Sequence, residues 1–148
     1  MARETIGEID QLVRVLREDG DGVAPPPGVA ALDGLVARHR DAGLEVNMTV
    51  SGARRPLPAA VDQGAYRILQ EALTNATRHG GGSADVHVAF ADGGLELAVA
   101  NPLRRAPGTG HGHGIAGMRE RAALLGGRLA AHAVDGRFEV RAWLPTAK

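Results

Sequence analysis

Ala84-Asp85-Val86-His87-Val88-Ala89-Phe90-Ala91-Asp92-Gly93-Gly94-Leu95-Glu96-Leu97-Ala98-Val99-Ala100 contains two alternating runs joined by a turn. Val86, Val88 and Phe90 fall on one face of the first run, and Leu95, Leu97 and Val99 on one face of the second. Asp92-Gly93-Gly94 between them is a hairpin signal, so the spacing predicts paired strands over 85–90 and 95–100. Working outward, Leu44 to Val50 alternates as a half-buried strand. A last hairpin turns at Asp135-Gly136, with Phe138, Val140, Ala142 and Leu144 on the inner face of its return strand. Helical spacing fills the gaps between these strands. It appears from Val29 to about Asp41 (Leu32, Leu35, Val36), over 59–79 (Ala65, Ile68, Leu69, Ala72, Leu73, Ala76) and over 114–125 (Ile115, Met118, Ala122, Leu125). Gly43 stops the first of these helices and Gly126-Gly127 the last. Residues 101–113 are a Pro/Gly-rich loop without periodicity. Hairpins dominate, which predicts an α+β two-layer sandwich: a mixed, mainly antiparallel sheet with helices on one face.

The rest of the chain sets the class. It has 148 residues and a formal net charge of zero, the size of one domain, and 44% of it is hydrophobic, enough for a real core. A neutral balance with one Trp, one Tyr and two Phe argues against a nucleic-acid binder, which needs a basic surface and stacking platforms. Without cysteine there are no disulfides, no thiolate zinc site and no Cys nucleophile. No apolar run approaches the ~18 residues of a spanning helix, and the polar start lacks a signal-peptide core, so the expected location is cytoplasmic. Residues 3–18 carry a short helical stripe (Ile6, Ile9, Val13, Leu16), cut off by Asp19-Gly20-Asp21-Gly22 and Pro25-Pro26-Pro27, which read as a linker.

Two stretches carry chemistry. In Gln70-Glu71-Ala72-Leu73-Thr74-Asn75-Ala76-Thr77-Arg78-His79, Glu71 and Asn75 are four apart and share a helix face, with Arg78 a turn further on. Asn supplies a hard oxygen to Mg²⁺, Glu orients or deprotonates a nucleophile, and Arg clamps phosphate. Taken alone, such a trio is also ordinary on the wet face of an amphipathic helix. The second stretch is Gly108-Thr109-Gly110-His111-Gly112-His113-Gly114, running into Ile115-Ala116-Gly117-Met118-Arg119-Glu120-Arg121. Glycines alternating up to a helix start expose backbone N–H groups to an anion. No Gly-Lys-Ser/Thr follows, so it is not a Walker loop, and it does not follow the first strand of a βαβ unit as a dinucleotide fingerprint would. A flexible surface loop would look the same. His111 and His113, with no cysteine and no evident third ligand, do not add up to a zinc site.

Taken together, the Glu71–Asn75 helix, the hairpin, the Gly-rich loop and Gly112-x-Gly114-Ile-x-Gly117-Met118-Arg119-Glu120-Arg121 resemble the catalytic ATP-binding domain of NarL/DesK-type sensor histidine kinases. That domain shares the Bergerat ATPase fold with DNA gyrase and MutL. The resemblance implies the tail of a dimerisation helix over 1–19, a linker over 20–28 and the catalytic domain over 29–148. It implies ATP and Mg²⁺ as cofactors, Glu71 as the catalytic residue and Asn75 as the metal ligand. It also implies an ATP site drawn from Asn75, Arg78, His79, Asn101, Gly110, Gly112, His113 and Gly114. Met118, Arg119 and Glu120 would be packing and capping residues behind the lid. The partners it implies are a histidine-containing dimerisation domain and a response regulator, the full-length protein being a homodimer, with no nucleic acid and no membrane segment in this chain.

The chain departs from that pattern in two ways. Asn101 stands where the family has an Asp that reads the adenine amino group; its carbonyl oxygen accepts the same bond without the charge that strengthens it. Leu103 replaces the glycine that follows. None of the six histidines (39, 79, 87, 111, 113, 132) precedes an acidic residue, so the phosphoacceptor is absent. Two other readings stand beside the kinase: a degenerate nucleotide-binding or protein-interaction module of the same fold without turnover, and an anti-sigma-factor-like serine kinase, which the helix over 2–19 disfavours.

Overall fold

The computed structural model describes residues 27–103 and 112–146. The helical stripe over 3–18, most of the linker, and Gly108, Gly110 and His111 lie outside the described residues. A 3₁₀ turn (Val29–Ala31) leads into α1 (Leu32–Asp41) and β1 (Glu45–Ser51). Then come α2 (Ala59–His79), β2 (Ser83–Ala91), β3 (Gly94–Pro102), α3 (Gly112–Leu124), β4 (Arg128–Val134) and β5 (Arg137–Pro145). The element order is the one the patterning predicts.

The strands form one five-stranded sheet in the order β1-β2-β3-β5-β4. β1 lies parallel to β2, in register from Glu45↔Ser83 to Ser51↔Ala89, so α2 is the crossover between them. Every other pairing is antiparallel. The inward rows the alternation predicts (Val86, Val88 and Phe90; Leu95, Leu97 and Val99; Phe138, Val140, Ala142 and Leu144) are all buried under the helices. Their sequence neighbours Asp85, His87, Glu96 and Arg141 are exposed on the opposite face. The apolar stripe of α2 (Ala65, Ile68, Leu69, Ala72, Leu73, Ala76) is buried along its full length, and Leu35, Ile68, Leu69, Leu73, Val88, Leu95 and Leu144 form the heart of the core.

Local chemistry explains the element ends. Asp62, in the first turn of α2, complements the helix dipole and accepts the Val29 N–H at 2.8 Å, tying the 3₁₀ turn to the helix. Asp135 and Gly136 both have positive φ (52° and 76°), the backbone that a tight two-residue hairpin requires. Arg55 straps the β1–α2 loop down, donating to the Ala91 carbonyl at 2.6 Å and to the Thr146 hydroxyl at 3.2 Å. Strand β3 runs further than its alternation suggests, taking in Asn101 and Pro102 opposite Phe138 and Arg137. Pro102 is tolerated because it ends the strand, where its missing N–H interrupts no ladder, and its carbonyl accepts the Gly81 N–H at 2.8 Å. No helix among the described residues is long and apolar enough to cross a membrane.

Candidate functional site

The periodicity that buries the stripe of α2 leaves Glu71 and Asn75 together on its flank, each half-buried. The first turn of α3 closes on that flank. A β-carbon built on Gly114 would lie 2.8 Å from Glu71 Oε1 and 3.2 and 3.4 Å from Asn75 Nδ2 and Oδ1. Glycine is therefore what lets α3 start against this pair. Asn75 Nδ2 is buried and has no hydrogen-bond partner, the only side-chain polar atom among the described residues in that state. A buried unpaired amide costs about 1–3 kcal/mol unless a ligand completes it.

A second polar side chain closes the C-terminal end of α2. Asn101, at the end of β3, is buried, the only polar residue so deeply placed among those described. Its Nδ2 donates to the Pro102 carbonyl at 3.1 Å. A β-carbon on Gly80 would come 2.8 Å from that nitrogen, so the residue just after α2 and the end of β3 are in direct contact. An isolated bridge between Gly80 and Leu103 continues the contact, in which Leu103 takes part as a half-buried neighbour.

Of the residues singled out by sequence, the fold brings Glu71, Asn75 and Gly114 together and sets Asn101 at the end of the same helix. His79 is half-buried and engaged in contacts of its own. Gly112 opens α3 with His113 after it, and Gly110 lies outside the described residues. Arg78 is exposed and lines a groove with Arg38, His39 and Ala42 of the α1 end, away from Gly114. Met118 is buried in the core, whereas Arg119 and Glu120 are exposed. Sequence inspection missed the Gly80–Asn101 contact and the part played by α1, because neither has a local signature.

Among the described residues no three His, Cys, Asp or Glu side chains converge. What converges instead is one carboxamide, one carboxylate and a helix start. That donor set suits Mg²⁺, which keeps several waters and shares phosphate oxygens, better than an all-protein cage. Half a turn about the last torsion exchanges the ends of the Asn75 amide, presenting either a donor to phosphate or a carbonyl oxygen to the cation.

No family model matches the sequence. The chain is 30% identical over 131 residues to the sensor histidine kinase LnrJ of Bacillus subtilis, covering 87% of this chain and 32% of the relative. It is 33% identical over 138 residues to the sensor histidine kinase YxjM of the same organism, covering 91% of this chain and 33% of the relative. The chain thus spans about a third of the length of the curated relatives it matches. Among solved structures, the catalytic domain of the histidine kinase ThkA superposes with a TM-score of 0.59 at 13% identity, over 78% of this chain and 94% of that domain. The chain has the fold of a histidine kinase catalytic domain. Its α+β architecture and five-stranded mixed sheet are those of the kinase domain, and its relatives by sequence are sensor histidine kinases. Glu71, Asn75 and Gly114 mark one end of this kinase fold, where α3 starts against α2.

Proposed function

We propose that this chain is the Mg·ATP-binding catalytic domain of a NarL/DesK-type sensor histidine kinase. It would transfer the γ-phosphoryl group to a histidine on a separate dimerisation domain, for relay to a response regulator. The observation that carries this is the unpartnered, buried Asn75 amide held against Glu71 and Gly114. Asn75 is the metal ligand, and His79, Asn101, Gly110, Gly112, His113 and Gly114 complete the nucleotide site; Arg78, whose head turns to the groove beside α1, stays outside it. Mg²⁺ held by Asn75 would neutralise phosphate charge. The protein's own part is positioning and electrostatics: the start of α3 offers backbone N–H groups to the phosphates, and Asn75 fixes their register. Glu71 stands ready to accept the N–H proton of the attacking imidazole and to hold its ring in line.

Residues 1–19 are then the tail of a dimerisation helix and 20–28 its linker, this domain lying in the cytoplasm and the full-length protein being a homodimer. A second reading, a degenerate module that binds without turnover, is favoured by one residue: Asn101 offers the base a neutral amide oxygen where the family pattern has a charged acceptor.

Titration with ATP, with and without Mg²⁺, tests the proposal first. Mg-dependent binding is expected, and no binding under either condition would remove it. Incubated alone with radiolabelled Mg·ATP, the chain is expected to form no acid-labile phosphohistidine. Adding a histidine-bearing helical domain in trans should restore labelling on that domain, weakly, because the tether's effective concentration is lost. Nucleotide binding with no labelling in trans would select the degenerate module.

A further inference from the structure

A groove opens where the last turns of α1 and α2 lie side by side, roughly a quarter-turn around α2 from Glu71 and Asn75. Arg38, His39 and Ala42 line one wall and Thr74, Thr77 and Arg78 the other, around a volume of about 330 Å³. Every ionisable group on these walls is basic. The ion pairs among the described residues, Arg137–Asp85 and Arg141–Glu139, lie elsewhere, on the sheet, so neither Arg38 nor Arg78 has a described carboxylate within ion-pair distance. In a chain of zero net charge this is a local concentration of positive charge with no described carboxylate opposite it.

The hydrogen bonds orient what the groove presents. Thr74 and Thr77 donate back to the carbonyls of Gln70 and Leu73, each at 2.9 Å, which spends their protons inside α2. The Thr77 oxygen, 3.3 Å from His39 Nδ1, therefore accepts from that nitrogen, and the ring presents Nε2. Arg38 donates to the Tyr66 hydroxyl at 2.7 Å, which holds its guanidinium at the rim with donors to spare. Between the charged heads the walls are methyl and methylene: Ala42, the Thr74 methyl and the arginine stems.

We propose that this groove docks an acidic peptide segment of a partner protein, its carboxylates received by Arg38, Arg78 and His39 Nε2 and an apolar side chain lodged between them. A free phosphate would meet the same cations but gain nothing from the apolar walls, whereas a peptide that alternates carboxylate and aliphatic side chains uses both. The charged groups that share the groove with His39 are Arg38 from its own helix and Arg78 from α2, both positive. A docked carboxylate therefore favours the protonated ring, and docking tightens as the pH falls through the histidine range. This proposal stands whether or not the chain transfers phosphate.

The test is fluorescence anisotropy of a fluorescein-labelled peptide of alternating Glu and Leu, titrated with the whole chain. A Gln/Leu peptide is the control and inorganic phosphate the competitor. Saturable binding that weakens with salt is expected. Arg38→Gln and His39→Gln should each weaken it about three- to fivefold, the worth of one exposed ion pair, and His39→Gln should flatten its pH dependence. Arg38→Gln also gives up the Tyr66 contact, so Ala42→Glu carries the test independently. It sets a carboxylate among the cations on an exposed position and should abolish docking with Mg·ATP affinity unchanged. Equal binding of the Gln/Leu peptide, displacement of the Glu/Leu peptide by phosphate, or full affinity in Ala42→Glu would each overturn the proposal.

Discussion

Gly64 receives the end of Leu125: a β-carbon on Gly64 would stand 2.4 Å from Leu125 Cδ1. At the other end of the same pair of helices, Gly114 of α3 meets Glu71 and Asn75 of α2. Helices α2 and α3 thus run antiparallel, with a glycine on α2 at one end and a glycine on α3 at the other. The far contact sets where α3 begins, and so how closely Gly114 approaches the amide of Asn75.

Gly64→Ala should therefore act at a distance. The added methyl must push Leu125 aside, at about 1–3 kcal/mol for overpacking, and nucleotide affinity should fall with stability. Leu125→Val in the same chain should restore both. A double-mutant cycle on melting temperature and ATP affinity measures this, and additive effects would break the link between the two helix ends.

Gly114→Ala should spare the melt and lose the ligand, because its β-carbon meets the very side chains proposed to hold the phosphates and metal. Gly117→Ala is the control. Nothing lies within 4 Å of a β-carbon there, and alanine should stabilise α3 by up to about 1 kcal/mol. Calorimetric titration beside a circular-dichroism melt separates the two variants.

Asn75→Ala should abolish Mg-dependent ATP binding and leave the apo protein as stable as before or slightly more so, because it removes a buried amide that has no partner. Loss of folding in this variant would mean that the amide serves the core.

Asn101→Asp should separate affinity from stability. A carboxylate cannot donate to Pro102 and is buried against it, so the apo melting point should drop by the equivalent of about 1–3 kcal/mol. If Asn101 reads the base, the charged acceptor should nonetheless raise the preference for ATP over GTP. Competition between the two nucleotides is the measurement, and unchanged selectivity would remove Asn101 from the base site.

His39 gives a pH signature. Burial, and then the Arg38 charge beside it, hold its imidazole below the usual histidine range. A histidine depressed in the folded state takes up its proton more readily when unfolded. Its contribution is therefore full above the unfolded value, near pH 6.5, and is lost as the pH falls through the window toward the lower folded value. Melts between neutral pH and about pH 5.5 should show a smaller decline for His39→Gln than for the parent chain. An equal decline would assign the loss to other groups.

Much of this was legible in the sequence because the core rows announce themselves. Val86-Val88-Phe90 and Phe138-Val140-Ala142-Leu144 alternate so cleanly that their burial follows, and Glu71 and Asn75 share a face by arithmetic alone. The parallel register of β1 on β2 was not legible, since alternation states which face is buried and not which neighbour is paired. Nor was the side to which Arg78 turns: helical spacing puts it near Glu71, but its exposed head lies in the groove with the end of α1. The Gly80–Asn101 contact joins residues on different elements and leaves no periodic trace.

The parallel strand has a kinetic consequence. Hairpins β2–β3 and β4–β5 close short loops, whereas Glu45 finds Ser83 only across the whole of α2. Long loops close late, so the hairpins should order before β1 docks, and the crossover helix should gain its final packing last. Glu71 and Asn75 ride on that helix. In a stopped-flow refolding experiment, fluorescent-nucleotide binding should recover in the slowest phase, after the far-ultraviolet signal of the strands, so that a partly folded chain is one that cannot yet hold ATP.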